Sequence, residues 1–219
     1  MPIREDFQRA RSEREKAARR VEIMDAAVVM LREAGNERFA LSALADRVGV
    51  SKSTVFLYFA NKDELLLTLY TRAGAEFFAR FRKQLYRGMT GRAFCEAFVD
   101  AALADPTMLT LRASLANTIE RAVSQSSLIL AKQDIIRNGQ AMAEHADELL
   151  GLAPGRGRIM LQALTNLLAG ATQVDVGGYV DLETMPDDVA RLIRSGNRRA
   201  AFLDGAEFIF TGATGLPFD

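Results

Sequence analysis

The chain has 219 residues, 49% of them hydrophobic and 26% charged, and its 28 Lys and Arg are balanced by 28 Asp and Glu. That balance suits a packed globular protein and excludes a disordered one. Zero net charge also excludes a histone-like coat that holds nucleic acid non-specifically, although helix N-termini can still supply local positive potential.

Cys95 is the only cysteine, so no intrachain disulfide can form and a cytoplasmic location is expected. No run of about 18 apolar residues is present to span a membrane, and the first twenty residues lack the apolar core of a secretion signal. With five prolines, little strand-like alternation and long stretches of 3.6-residue apolar period, the chain is expected to be all-α.

Residues 1–19 form a charge-mixed extension, a frayed or lengthened start to the first helix. In that helix Ile23, Met24, Ala27, Val28, Leu31 and Ala34 make one apolar stripe, closed by Gly35. Leu41, Leu44, Ala45 and Val48 then repeat on one face of a short second helix that Gly49 stops. Ser51 is placed to accept from the free amides of a third helix, which Val55 and Phe59 turn inward. Ser53, Thr54 and Leu57 are left facing out, flanked by Phe56 and Tyr58. A short amphipathic helix, a tight turn and a second helix with a small-polar and aromatic outer face is the arrangement by which a helix-turn-helix reads DNA.

Asn61 caps a long fourth helix, and Glu64 stands three residues on, as in a capping box. Its stripe of Leu66, Leu69, Tyr70, Ala73, Phe77, Phe81 and Leu85 is too long for a three-helix head alone, so this helix should run into the rest of the molecule. After Gly88 we expect a helix ending near Asp105-Pro106, another over Thr107 to Ala122, and a longer one over Ser126 to Leu150. Gly151 and Pro154-Gly155 mark the next break, and helix resumes from Arg156 to Val176. A loop with Gly177-Gly178 and Met185-Pro186 comes next, then a short helix around Val189 to Ile193 and a last one over Asn197 to Thr211.

Residues 159–172 and 200–210 are apolar or small on nearly every face. A helix at a domain's edge cannot leave two apolar faces bare, so a second copy of the chain is expected on one side. Leu164, Leu168, Ala171, Phe202, Ala206 and Ile209 are the candidate dimer contacts. Burial of both helices at the centre of a monomeric bundle is the alternative.

The stretch RVEIMDAAVVMLREAG from Arg20, then LSALADRVGVSKSTVFLYF and NKDELL, resembles the tetracycline-repressor (TetR) family of bacterial transcriptional regulators. The resemblance covers a little under a third of the chain. It implies a helix-turn-helix DNA-binding domain over 20–66 and a larger helical domain over 67–219 that binds a small molecule and dimerises. The recognition helix is similar to Lys52 to Phe59, so Lys52, Ser53, Thr54, Phe56, Leu57 and Tyr58 are candidate DNA contacts, with Lys62 at the family's lysine opening the fourth helix. Two positions depart from the pattern. Phe56 lacks the hydroxyl of the usual tyrosine, and Phe39-Ala40 stands where a capping threonine or serine is usual. Losing that cap costs about 1 kcal/mol unless Ser42 takes over by shifting the helix start.

Double-stranded DNA, a second copy of the chain and a largely apolar small-molecule effector are the expected partners, with no membrane, cofactor or metal. Phe94, Phe98, Met108, Leu111, Leu115, Met142 and Met160 could line an effector cavity, or be plain core. His145, the only histidine, could hydrogen-bond an effector. The arginines before residue 21 could follow a DNA backbone, although the interspersed Glu5, Asp6, Glu13 and Glu15 fit a solvated, ion-paired helix. No nucleophile elbow, phosphate loop or dinucleotide fingerprint points to catalysis. The alternative function is a helical small-molecule-binding or scaffold protein whose head no longer reads DNA.

Overall fold

The computed structural model describes residues 3–36, 38–173, 182–194 and 198–219, and among these residues the regular structure is entirely helical. The charge-mixed extension is the start of the first helix itself: α1 runs unbroken over Ile3–Ala34. Its inner stripe of Ile23, Met24, Ala27 and Leu31 is buried, and Gly35, at φ +70°, ends it with its amide on the Leu31 carbonyl at 2.9 Å. With α2 (Leu41–Val48) and α3 (Lys52–Phe56), this stripe encloses Phe39, Leu44, Ala45, Val55 and Phe59 in a three-helix head. Ser42 does not take over the missing cap of α2. The helix starts at Leu41 behind Ala40, which has no side-chain oxygen to offer.

Helix α4 (Lys62–Gln84) begins as expected, with Asn61 Oδ1 accepting from the Glu64 amide at 2.8 Å. The other half of the capping box is not made. The Glu64 carboxylate reaches across to the second domain and accepts from the Ser124 amide, also at 2.8 Å. Leu66, Leu69, Tyr70, Ala73, Phe77 and Phe81 are buried along α4, while Leu85 lies just past its end as the C-cap.

The body consists of α5 (Gly91–Leu103), α6 (Thr107–Ser114), α7 (Glu120–Ala122), α8 (Gln125–Leu150), α9 (Arg156–Gln173), α10 (Asp187–Arg194) and α11 (Arg198–Thr214), with a 3-10 turn at Leu182–Thr184. The stretch expected as one helix from Thr107 to Ala122 is broken by a π-helical turn at Leu115–Ile119, which joins α6 to α7. Helix α11 runs three residues beyond the expected Thr211. The expected end of α9 at Val176 and the Gly177-Gly178 loop lie outside the described residues.

Phenylalanine rings tie α4, α5 and α11 together. Phe77 meets Phe98 edge-on at 5.1 Å between centroids, Phe81 meets Phe94 at 5.1 Å and Phe98 at 5.2 Å, and Phe98 stacks on Phe202 at 5.7 Å. Offset and edge-to-face pairs add about 0.5–1.5 kcal/mol each beyond the area they bury. Helix α11 approaches α9 closely at Gly205, where a Cβ would stand 2.9 Å from Leu167 Cδ1.

Phe98 contributes to three of these ring pairs and is fully buried. Phe98→Ala should therefore lower unfolding free energy by about 3–5 kcal/mol in urea denaturation. A loss under about 1 kcal/mol would show that the ring column does not hold the body together.

Candidate nucleic-acid interface

The turn between α2 and α3 is built entirely from local chemistry. Gly49 adopts φ +72°, and the Val50 amide returns to the Ala45 carbonyl at 3.0 Å, a Schellman closure that only a residue tolerant of positive φ gives cheaply. Ser51 then caps α3, its Oγ accepting from the Thr54 amide at 3.1 Å. The same Oγ lies 2.8 Å from both Ser53 Oγ and Thr54 Oγ1, so three hydroxyls cluster at the N-terminus of α3. Arg47 braces α2 against α1 through a two-point contact with Glu33.

Helix α3 is shorter than the expected span of Lys52 to Phe59. It ends at Phe56, and Leu57, Tyr58 and Phe59 continue as a turn with the Tyr58 and Phe59 amides on the Val55 carbonyl at 3.0 and 3.1 Å. Val55 and Phe59 are buried, which orients everything between them. Lys52 and Ser53 are exposed, Phe56 is 42% exposed, and Leu57 is 83% exposed. Thr54 and Tyr58 are half-buried at the flanks. The Lys52 ammonium stands 5.7 Å from the Phe56 ring centroid. Lys52, Ser53, Phe56 and Leu57 are thus outward, with Thr54 half-buried beside them, while Tyr58 packs on the core and borders the head–body cavity.

The seventh, Lys62, turns inward. Its Nζ donates to the Asn36 carbonyl at 2.7 Å and lies 5.7 Å from the Phe39 ring. This ammonium ties the segment after α1 to the start of α4, a role that residue type alone does not reveal.

Several polar contacts that were not legible in the sequence join head to body. Asn36 Nδ2 donates to Ser114 Oγ at 3.2 Å, immediately before the π-turn. Arg32 pairs with Asp105 at 2.9 Å, and Asn61 Nδ2 donates to the Ala122 carbonyl at 3.2 Å. Burial pushes the Glu64 carboxyl up, but hydrogen bonds from Ser127 and from the Ser124 amide and hydroxyl outweigh it and leave the group below its ordinary value. Asp105 is likewise raised by burial and lowered further by Thr107 and Arg32, with a net lowering. Beside this joint, α1, α4 and α8 enclose an open cavity of about 690 Å³, lined by Met24, Tyr58, Leu67, Thr71, Leu130 and Asn138 among others.

None of the effector candidates lines that cavity. Phe94, Phe98, Met108, Leu111, Leu115, Met142 and Met160 are all buried, with Phe94 and Phe98 absorbed into the ring column. His145 is half-buried on α8. Burial, with a small contribution from Glu96, pushes the Cys95 thiol up to about 12, which keeps it protonated and unreactive. No three His, Cys, Asp or Glu side chains among the described residues are grouped to hold a metal.

The candidate dimer contacts lie mostly within the chain's own packing. Leu164, Leu168, Ala171, Phe202 and Ala206 are buried inside the single chain, and Ile209 is half-buried. They form the seam through which α9 and α11 pack on each other and α11 packs on α5. The faces left outward carry Phe208, 80% exposed, and Ile159, 51% exposed, with Gln162, Asn166 and Gly170 also exposed on α9.

A capped helix-turn-helix with an exposed reading surface, mounted on a helical second domain, defines a DNA-binding protein of the two-domain regulator class. The family model described as bacterial regulatory proteins, tetR family, matches residues 23–69, and that described as tetracyclin repressor-like, C-terminal domain, matches residues 68–175. The chain belongs to the TetR family of bacterial transcriptional regulators. Among curated proteins, the fatty acid metabolism regulator protein of Bacillus subtilis (strain 168) is 29% identical over 79 residues, 36% of this chain and 41% of that one, so the match spans less than half of the relative's length. A tetR family transcription regulator from Shewanella sp. PV-4 superposes with a TM-score of 0.52 at 18% identity, covering 85% of this chain and 95% of that one. A TetR transcriptional regulator from Streptomyces coelicolor gives 0.51 at 21% identity, covering 90% and 97%. At such identities these structures establish a shared fold. Among the described residues no helix is long and apolar enough to cross a membrane.

The lowered Glu64 and Asp105 carboxyls make the head–body joint acid-sensitive. A carboxylate whose folded pKa lies below its unfolded value, about 4, contributes stability above that value and loses it as pH falls through the folded one. Stability should therefore drop below about pH 4, and the double variant Glu64→Gln, Asp105→Asn should be less stable at pH 7 with a shallower acid limb. Urea midpoints measured between pH 3 and 7 check this; parallel acid limbs would refute it.

Proposed function

We propose that the chain is a dimeric repressor that leaves a palindromic operator when a small apolar molecule binds its body. The exposed surface of Lys52, Ser53, Phe56 and Leu57, flanked by half-buried Thr54 and Tyr58 and oriented by buried Val55 and Phe59, is the observation that carries this reading. Lys52 neutralises a phosphate, while Ser53 and Thr54 fix register against backbone or base edges. Leu57, exposed far beyond what the head's own packing needs, meets a thymine methyl. Residues 20–66 act as the reading head and 67–219 as the effector and dimer domain, with α4 crossing between them.

A dimer places two such heads about 34 Å apart, one turn of the duplex. We assign its interface to the outward faces of α9 and α11 around Phe208 and Ile159, because the inward residues are already spent within the chain. The effector enters among Met108, Leu111, Leu115, Met142 and Met160, whose thioethers adapt to irregular apolar shapes, with His145 at the edge. It shifts the protein only by its differential affinity for the two arrangements of head and body. The curated relative is named for fatty acid metabolism, and a fatty-acyl effector would suit such a lining; an overlap of 79 residues supports testing it first rather than more.

Operator sequences selected from random duplexes provide the test. Lys52→Ala should weaken binding evenly across sequences and reduce the slope of log affinity against log salt by about 1 per head, whereas Leu57→Ala should relax preference at one base position by about 1 kcal/mol. Absence of any sequence preference in the parent protein would favour the scaffold reading. Separately, Phe208→Glu should convert the dimer to monomer in sedimentation equilibrium and weaken operator binding; an unchanged mass would place the interface elsewhere.

A further inference from the structure

We propose that the amino-terminal half of α1 is a helical arm that lies against the duplex flanking the operator and adds phosphate contacts of its own. This rests on the reading of the head as a DNA reader. Helix α1 is continuous from Ile3, yet the first buried residue in its described part is Ile23. Every side chain from Glu13 to Ala18 is exposed. Twenty residues of helix reach about 30 Å, and the described side chains of this stretch, from Glu13 to Glu22, bury no apolar stripe.

The charge of that stretch is unlike the rest of the chain. Between Arg4 and Arg20 stand six arginines and one lysine against four carboxylates, a net of +3 in a protein whose total is zero, so the remainder carries −3. Its described ion pairs, Lys16 with Glu13 at 3.1 Å and Arg19 with Glu22 at 2.7 Å, are solvent-exposed and readily exchanged for phosphate. The arm is anchored where it meets the head. The Arg20 guanidinium lies 4.9 Å over the ring of Phe59, which is buried in the head. A second copy of the arm is a poorer occupant, since two stretches of net +3 repel and the face Ile3, Phe7, Ala10, Arg14, Ala17 and Val21 is interrupted by an arginine at its centre and two alanines beside it. A duplex is the oppositely charged rod beside it.

The test uses the full chain with Arg4→Gln, Arg9→Gln, Arg11→Gln and Arg14→Gln together, on a selected operator with 10 extra base pairs on each side. Each phosphate contact adds about 0.9 to the salt slope. The variant should lose about 2–3 from that slope and bind at least tenfold more weakly in 100 mM KCl, with the preferred sequence unchanged. Trimming the flanks should weaken the parent protein and leave the variant unaffected. Circular dichroism and sedimentation accompany both proteins. Equal slopes overturn the arm alone, as does a change of oligomeric state at equal slope, which would assign the helix to protein pairing. Failure of the parent protein to bind any selected duplex overturns the head reading and the arm with it.

Discussion

One helix belongs to both halves of this molecule, and most of the rest depends on that. The first turns of α4 are held by the head, through Lys62 on the Asn36 carbonyl and Leu65 and Leu66 in the shared core. Its last turns are clasped by the phenylalanines of α5, with Phe77 and Phe81 at the centre of the ring column. A helix is stiff along its axis, so α4 cannot bend to keep both ends content. Its 23 residues span about 35 Å, and a tilt of about 5° moves one end about 3 Å relative to the other. The reading surface of the head would move with it.

Where α4 crosses, polar contacts between head and body border an apolar core that runs through both. Within the body, ring contacts and close approaches such as Gly205 on Leu167 leave no freedom without forming a void. At the joint, Asn36–Ser114, Arg32–Asp105, Asn61–Ala122 and Glu64–Ser124 are individually modest and can be exchanged for water. Three of them end on the segment from Ser114 to Ser124, the stretch that contains the π-turn. A π-turn carries one residue more than the α-helix on either side, and its removal or migration rotates the helix beyond it. Rigid bodies joined by replaceable contacts beside an irregular helical turn favour discrete repositioning over continuous flexing.

The fold was legible where a local rule had no competitor. Gly49, Ser51 and Asn61 act on amides within a few residues of themselves, and a sequence states such contacts directly. Side chains that choose among distant partners were not legible in this way. Glu64 has the spacing of a capping box, yet its carboxylate leaves for Ser124, sixty residues away, because a second helix start there offers unsatisfied amides. Lys62 resembles a phosphate contact by position but lies nearer the open carbonyl at Asn36. The π-turn could not be foreseen, since Leu115 and Ile119 continue an ordinary helical period and only packing breaks it.

The same distinction explains the dimer residues. Apolar residues all round α9 and α11 establish that both helices need neighbours, but not which face meets which neighbour. The chain's own core takes the larger share first, because intrachain contacts are formed at far higher effective concentration than contacts between copies. The faces with the densest apolar pattern, around Leu168 and Phe202, are therefore the ones a monomer already consumes. What remains outward is the sparser face, where Phe208 is the large apolar side chain left most exposed and Gln162 and Asn166 are exposed on α9. An isolated exposed aromatic of this kind is the feature on which interfaces concentrate their energy, and this is why the proposed pairing is assigned to Phe208 rather than to the buried stripes.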